Sequence, residues 1–167
     1  GAWTQATNGI YGGNIQALVI SPNFASDRTI FAGTMGGGVF RSTNGGSAWS
    51  AANNGVHSEL VFAMAISPNY ASDRTVFAAA PGMLVKSTDG GASWQIRQTG
   101  LPGDNLYALA ISPNYASDGA LFVGTYSNGI YRTTNGGASW SAANSGLTSM
   151  HVESLAFSPN FGSDRTV

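Results

Sequence analysis

The sequence predicts an all-β protein of the β-propeller class, built from four-stranded antiparallel blades, and three observations predict it. Trp3, Trp49, Trp94 and Trp140 recur at spacings of 46, 45 and 46 residues. Pro22, Pro68, Pro113 and Pro159 hold the same register, each 19 residues after its Trp. Between these markers lie short apolar segments bounded by Gly, Pro and Asn, with no 3.6-residue periodicity. A period of about 40–50 residues holding four strands is the blade pattern; coiled solenoids need shorter periods and helical repeats need helical spacing.

The first strand of each unit is "IQALVIS", "VFAMAIS", "LYALAIS" and "VESLAFS", apolar on both faces as a buried inner strand requires. Each ends at Ser-Pro-Asn, where Pro cannot continue a central ladder. The second strand follows in "RTIFAGT", "RTVFAAA" and "ALFVGT", and the third in "GVFRST", "LVKST" and "GIYRTT", joined by Gly-rich or Pro-Gly hairpin loops. The fourth begins at the Trp of "WSAANNG" and its equivalents. The repeats therefore run near 3–48, 49–93, 94–139 and, in part, 140–167. This phase leaves three complete blades and fragments, too few to seal a ring. It predicts a longer propeller or array, or self-association that supplies the missing neighbours.

Composition narrows the function classes. A hydrophobic share of 43% is enough for a core, while charged residues make up only 9%. The net charge of −1 offers nucleic acid no electrostatic handle. Without Cys there are no disulfides, thiolate nucleophiles or cysteine-bound zinc. No apolar run is long enough to insert into a membrane as a helix. Low charge with many small polar residues points to an extracellular, cell-surface or periplasmic setting, and "GAWTQATNG" lacks the regions of an export signal, which is expected outside this sequence.

The third-to-fourth strand turns read "STNGGSAW", "STDGGASW" and "TTNGGASW". An Asx side chain accepts hydrogen bonds from nearby turn amides, Gly tolerates positive φ, and Trp wedges between sheets. The structural set is Ser42, Asn44, Gly46 and Trp49; Ser87, Asp89, Gly91 and Trp94; and Thr133, Asn135, Gly137 and Trp140. The phrase resembles the Asp-box (BNR) motif, S-x-D-x-G-x-x-W, of sialidases, sortilin-type receptors, xyloglucanases and photosystem II assembly factors. Only Asp89 retains the motif's aspartate. Asn44 and Asn135 keep the acceptor but not the charge, which suits a repeated corner and not a repeated metal site.

Antiparallel alternation assigns the loops to two faces. One face carries the Asp-box corners and the near-identical loops "SPNFASDR", "SPNYASDR", "SPNYASDG" and "SPNFGSDR". Its Asp and Arg residues, and the repeated Arg41, Lys86 and Arg132, read as turn and blade-edge groups, because a residue present in every unit defines no unique site. Loops on the opposite face differ from copy to copy, and loops on a rigid scaffold are where recognition is placed. The candidate ligand-binding residues there are Tyr11, His57, Glu59, Asp104, Tyr107, Tyr126, His151 and Glu153. Aromatic rings beside carboxylates suit a sugar or a protein loop.

A glycosidase needs two carboxylates flanking one bond. The non-repeat acids Glu59, Asp104 and Glu153 have no assigned separation, and a sialidase-like site needs clustered arginines where Arg97 alone lies outside the template. No nucleophile elbow, HExxH or phosphate loop occurs, so no catalytic residue, metal or cofactor is assigned. The sequence reads as a non-catalytic glycan- or protein-binding or structural module. The alternative is a segment of a larger glycoside hydrolase whose catalytic residues lie mostly outside this chain.

Overall fold

The computed structural model describes residues 4–167; Trp3, the first register marker, lies outside the described residues. Three four-stranded antiparallel sheets follow one another. Blade one comprises β1 (Ile15–Ile20), β2 (Ile30–Thr34), β3 (Val39–Ser42) and β4 (Ser50–Ala51), with the four-residue helix α1 (Phe24–Asp27) between the first two strands. Blade two comprises β5 (Ala63–Ile66), α2 (Tyr70–Asp73), β6 (Val76–Ala80), β7 (Met83–Ser87) and β8 (Gln95–Ile96). Blade three comprises β9 (Leu106–Ile111), α3 (Tyr115–Asp118), β10 (Leu121–Thr125), β11 (Ile130–Thr133) and β12 (Ser141–Ala142), and α4 (Phe161–Asp164) follows in the fourth repeat.

Apolar strand residues are buried where one sheet packs on the next, but the burial expected of every inner strand does not hold for β1, whose Ile15, Leu18 and Ile20 are exposed. Phe31 and Val39 of blade one pack in one cluster with Val61, Met64, Val76 and Val85 of blade two, and Trp94 joins them. Phe77 and Leu84 of blade two meet Leu106, Leu121, Val123 and Trp140 in the next. Each box Trp also reaches back by hydrogen bond. The indole Nε1–H donates to a carbonyl of the preceding unit: Trp49 to Ala6 (2.9 Å), Trp94 to Ala52 (2.8 Å) and Trp140 to Arg97 (2.9 Å). The expected wedge between sheets is thus also a polar clasp.

The near-identical loops are short helices tied by a polar knot. In the second repeat the Ser67 hydroxyl donates to Asp73 (2.6 Å), which also accepts from the Thr75 amide (2.8 Å), while the Asn69 amide donates to Ser67 Oγ (3.1 Å). Equivalent bonds recur around Asp27, Asp118 and Asp164. The helix ends at a left-handed residue, Arg28, Arg74, Gly119 or Arg165. Gly119 meets that requirement without a Cβ penalty, whereas Arg74 lays its guanidinium 5.6 Å from the Tyr70 ring centre. Because the knot runs through Asp118 and not through the capping residue, the change from Arg to Gly at the cap of the third repeat leaves it intact.

One expected strand is absent as a strand. Residues 152–157, the inner segment of the fourth repeat, form no ladder among the described residues. The Val152 amide donates to the Thr125 carbonyl (3.0 Å), and the Ser158 amide to the Thr166 carbonyl (3.0 Å), so the segment follows the blade path without pairing. Apolar β-propensity becomes a strand only where another backbone accepts its hydrogen bonds.

At the Asp-box corners the Asx side chains accept hydrogen bonds from nearby hydroxyls and amides. Asn44 Oδ1 accepts from the Ser42 hydroxyl and the Ala48 amide, each at 2.9 Å. Asp89 Oδ1 accepts from the Ser87 hydroxyl (2.8 Å) and the Ser93 amide (2.9 Å), and its second oxygen takes the Ser93 hydroxyl (2.5 Å). Asn135 Oδ1 accepts from the Thr133 hydroxyl (2.7 Å) and the Ser139 amide (3.0 Å), and its Nδ2 donates to Ser139 Oγ (2.8 Å), so either Asx residue closes the corner. Chiefly through the Ser93 hydroxyl, and against the opposing effect of burial, the Asp89 pKa is lowered to about 2. A depressed folded-state pKa gives stability that is complete above the unfolded value and lost on acidification. Stability is therefore expected to fall as pH drops from about 3.8 towards 2, and less steeply in Asp89→Asn. Denaturant midpoints at pH 5 and pH 2 check this; equal pH dependence in both proteins would refute it.

Candidate functional site

The two faces separate as the strand order requires. On the Asp-box face the Gly45, Gly90 and Gly136 amides donate to the helix-capping residues Arg28, Arg74 and Gly119, each at 3.0 Å, joining both loops of a blade. On the variable face the second-to-third strand loop of one blade meets the segment entering the next. The Gly38 amide donates to the Glu59 carbonyl (2.9 Å), the Gly82 amide to Asp104 (2.9 Å) and the Gly129 amide to Met150 (2.8 Å). Sequence-variable loops are thus stitched by backbone atoms, which leaves their side chains free to differ.

The inner strands β1, β5 and β9 lie side by side. At their variable-face end is a cleft of about 530 Å³ lined by Gln16, Met35, Phe62, Tyr107, Tyr126, His151 and Glu153. Gln16, Phe62, Tyr107 and Glu153 hold the same place, second in the inner segment, in four successive repeats. Met35 and Tyr126 hold one place in the second-to-third strand loops. The cleft is therefore where each unit contributes one or two side chains from a common position around the axis.

Its rings are mutually inclined. Tyr107 stands perpendicular to Tyr126 with centres 5.8 Å apart, and Phe62 meets Tyr107 at 4.9 Å and 62°. His151 lies 4.8 Å from Tyr126 and stacks on Tyr107 at 6.1 Å. Its Nε2 is 3.4 Å from Glu153 Oε1, and the Glu153 side chain is 82% exposed. Tyr126 is 50% exposed. These groups present aromatic faces and one carboxylate to whatever enters.

Of the eight expected site residues, the cleft gathers Tyr107, Tyr126, His151 and Glu153. Tyr11, His57 and Glu59 line a separate cleft of about 290 Å³ with Gly36, Gly37 and Asn53. Tyr11 is 62% exposed there, its ring edge-on to Phe40 at 4.8 Å. Asp104 is a loop tie. Its Oδ2 accepts from the Ser127 amide (2.7 Å), the Ser127 hydroxyl (2.9 Å) and Asn128 Nδ2 (2.8 Å). Burial works to raise its pKa, but these bonds outweigh it and hold the group below the ordinary carboxylate value.

Gln16, Met35 and Phe62 are not distinguished in the sequence by loop variability or charge. The available signal was the second inner-strand position, Gln, Phe, Tyr and Glu where the preceding position is always Ile, Val or Leu. Asn53 and Asn144 were also missed. Their Oδ1 atoms accept from the Val39 and Ile130 amides, both at 2.7 Å, and their Nδ2 groups donate to Gly37 and Asn128 carbonyls, fixing two variable-face loops. Among the described residues no group of three or more His, Asp or Glu side chains is placed to hold a metal ion. No helix of the described residues is long and apolar enough to cross a membrane.

Four-stranded blades, Asp-box corners and one variable face define a BNR-type repeat propeller. The chain belongs to the family of the photosynthesis system II assembly factor YCF48, whose model matches residues 13–157. YCF48 from Cyanidioschyzon merolae superposes with a TM-score of 0.55 and 24% identity, over 77% of this chain and 36% of that one. An ancestral GH74 enzyme gives a TM-score of 0.65 and 23% identity over 78% of this chain and 18% of the enzyme. The WD40 repeats of RRP9 give 0.68 and 16%, over 87% of this chain and 42% of that one. These likenesses concern the fold, and the chain spans about a fifth of the GH74 enzyme's length. No curated protein sequence matches the chain.

Proposed function

We propose that this propeller is a non-catalytic binding module working outside the cytoplasm, and that it engages a protein or glycan partner through the variable-face cleft. One observation carries the reading: side chains from equivalent positions of four repeats converge there yet differ in every copy. A scaffold position needs the same residue each time; a recognition position does not. Inclined aromatic faces with one end open to water are the usual anchor of such contacts. The second reading, a segment of a larger glycoside hydrolase, draws on the fold likeness to the GH74 enzyme. The cleft lining contributes a single carboxylate, Glu153, so hydrolysis would need a partner acid from elsewhere.

Peptide and glycan arrays probed with the 167-residue chain test this. Binders are expected to lose about tenfold or more in affinity with Tyr107→Ala or Tyr126→Ala, and to be retained by Asp89→Asn on the opposite face. Loss with Asp89→Asn while both Tyr variants bind normally would reverse the assignment of faces.

A further inference from the structure

We propose that the variable-face cleft receives an arginine side chain of a partner protein; this rests on the binding-module reading above. The first ground is the distribution of charge. Of eight acidic residues, Glu59, Asp104 and Glu153 stand on the variable face, and none of the seven Lys and Arg residues does. Arg28, Arg74 and Arg165 cap the short helices on the opposite face. Arg41, Lys86 and Arg132 sit in the third strands just before the Asp-box corners. Arg97 passes its carbonyl to Trp140. The variable face therefore carries −3, and the remainder carries seven positive and five negative charges, or +2, which sum to the chain's −1. A nearly neutral protein is thus strongly polarised, which favours a cationic partner on one face.

The second ground is what surrounds Glu153. Among the described residues its one neighbour within ion-pair distance is the His151 imidazole at 3.4 Å, a cation only when protonated. The carboxylate stands beside Tyr107, Tyr126 and Phe62, whose inclined rings offer π-faces in more than one direction. A guanidinium can stack on one face while its fork donates two hydrogen bonds to the carboxylate. A lysine ammonium offers a point charge without the planar stack, so arginine fits the arrangement better. A neutral sugar would stack on the tyrosines but leave the carboxylate's charge unused.

The test follows Tyr107, Tyr126 and His151 ring signals by NMR while the 167-residue chain is titrated with three peptides, Gly-Gly-X-Gly-Gly, where X is arginine, lysine or citrulline, and with cellohexaose. The arginine peptide is expected to shift all three rings and to bind about tenfold more tightly than citrulline, which keeps the shape without the charge. Glu153→Gln is expected to abolish that preference with the citrulline affinity and thermal midpoint unchanged, a pattern that misfolding would not produce. Equal binding of arginine and citrulline, or arginine preference retained in Glu153→Gln, overturns the arginine assignment. Ring shifts with cellohexaose alone overturn it too, while leaving the binding-module reading standing; that reading falls separately if no array ligand depends on Tyr107 or Tyr126.

Discussion

Replacing Trp94 by Ala is expected to lower the unfolding free energy by about 3–5 kcal/mol, the range for deleting a buried large aromatic. The indole is 5% exposed and packs with Phe31 and Val39 of blade one and with Val61, Val76 and Val85 of blade two. Its removal opens a cavity where two sheets meet and removes the donor that satisfies the Ala52 carbonyl at 2.8 Å. Trp94→Phe keeps much of the packing and loses the hydrogen bond, so it is expected to cost less than Trp94→Ala. Urea unfolding followed by far-ultraviolet circular dichroism separates these cases. A loss below about 1 kcal/mol for Trp94→Ala would show that blade contact does not depend on this wedge.

Gly55→Ala is expected to cost roughly 3 kcal/mol or more, against about 1 kcal/mol for Gly146→Ala. Both residues hold a left-handed backbone, at φ +90 and +86, so the conformational penalty of adding a Cβ is shared. Their surroundings differ. A Cβ on Gly55 would stand 2.2 Å from the Trp94 carbonyl oxygen, whereas one on Gly146 meets nothing within 4 Å among the described residues. The neighbouring Trp94 amide donates to the Asn54 carbonyl at 2.9 Å, so relieving the clash also breaks this strap between blades. The difference between the two variants, read from denaturant midpoints, isolates close approach from backbone strain. Equal losses would mean the strap yields freely.

The repeat was legible because its chemistry is local. Ser42 to Trp49 closes a corner with bonds confined to a few residues, and the same bonds recur from Ser87 and Thr133. The Ser-Pro-Asn loops were legible as turns, though not as the helix and Ser–Asp knot that they form, since pairing Ser67 with Asp73 needs the chain to complete a helical turn. The fourth inner segment was overread: apolar residues from Val152 to Phe157 carry strand propensity, but a ladder is a property of two backbones.

The candidate site was legible in part. His151 and Glu153 stand out in the sequence as groups outside the repeat template, and Tyr107 and Tyr126 as aromatic residues on the same variable side. Asp104 was found on the same grounds, yet its carboxylate is consumed by Ser127 and Asn128 in the neighbouring loop. Gln16 and Phe62 looked like ordinary strand residues, since a β pattern tells which positions share a face but not which meet across blades.

By itself the sequence determined the blade register, the order of strands, the corner chemistry and the division into a repeated and a variable face. Each follows from periodicity and turn preference, which act over a few residues and are restated in every unit. Only the tertiary structure decided that Gln16, Phe62, Tyr107 and Glu153 converge, that Tyr11, His57 and Glu59 form a separate cleft, and that each Trp bonds to the preceding blade. These depend on how one sheet is turned and packed against the next, a geometry set by the side chains buried between blades, such as Phe31 and Val61 in one cluster and Phe77 and Leu106 in the other, and carried by no single stretch of chain.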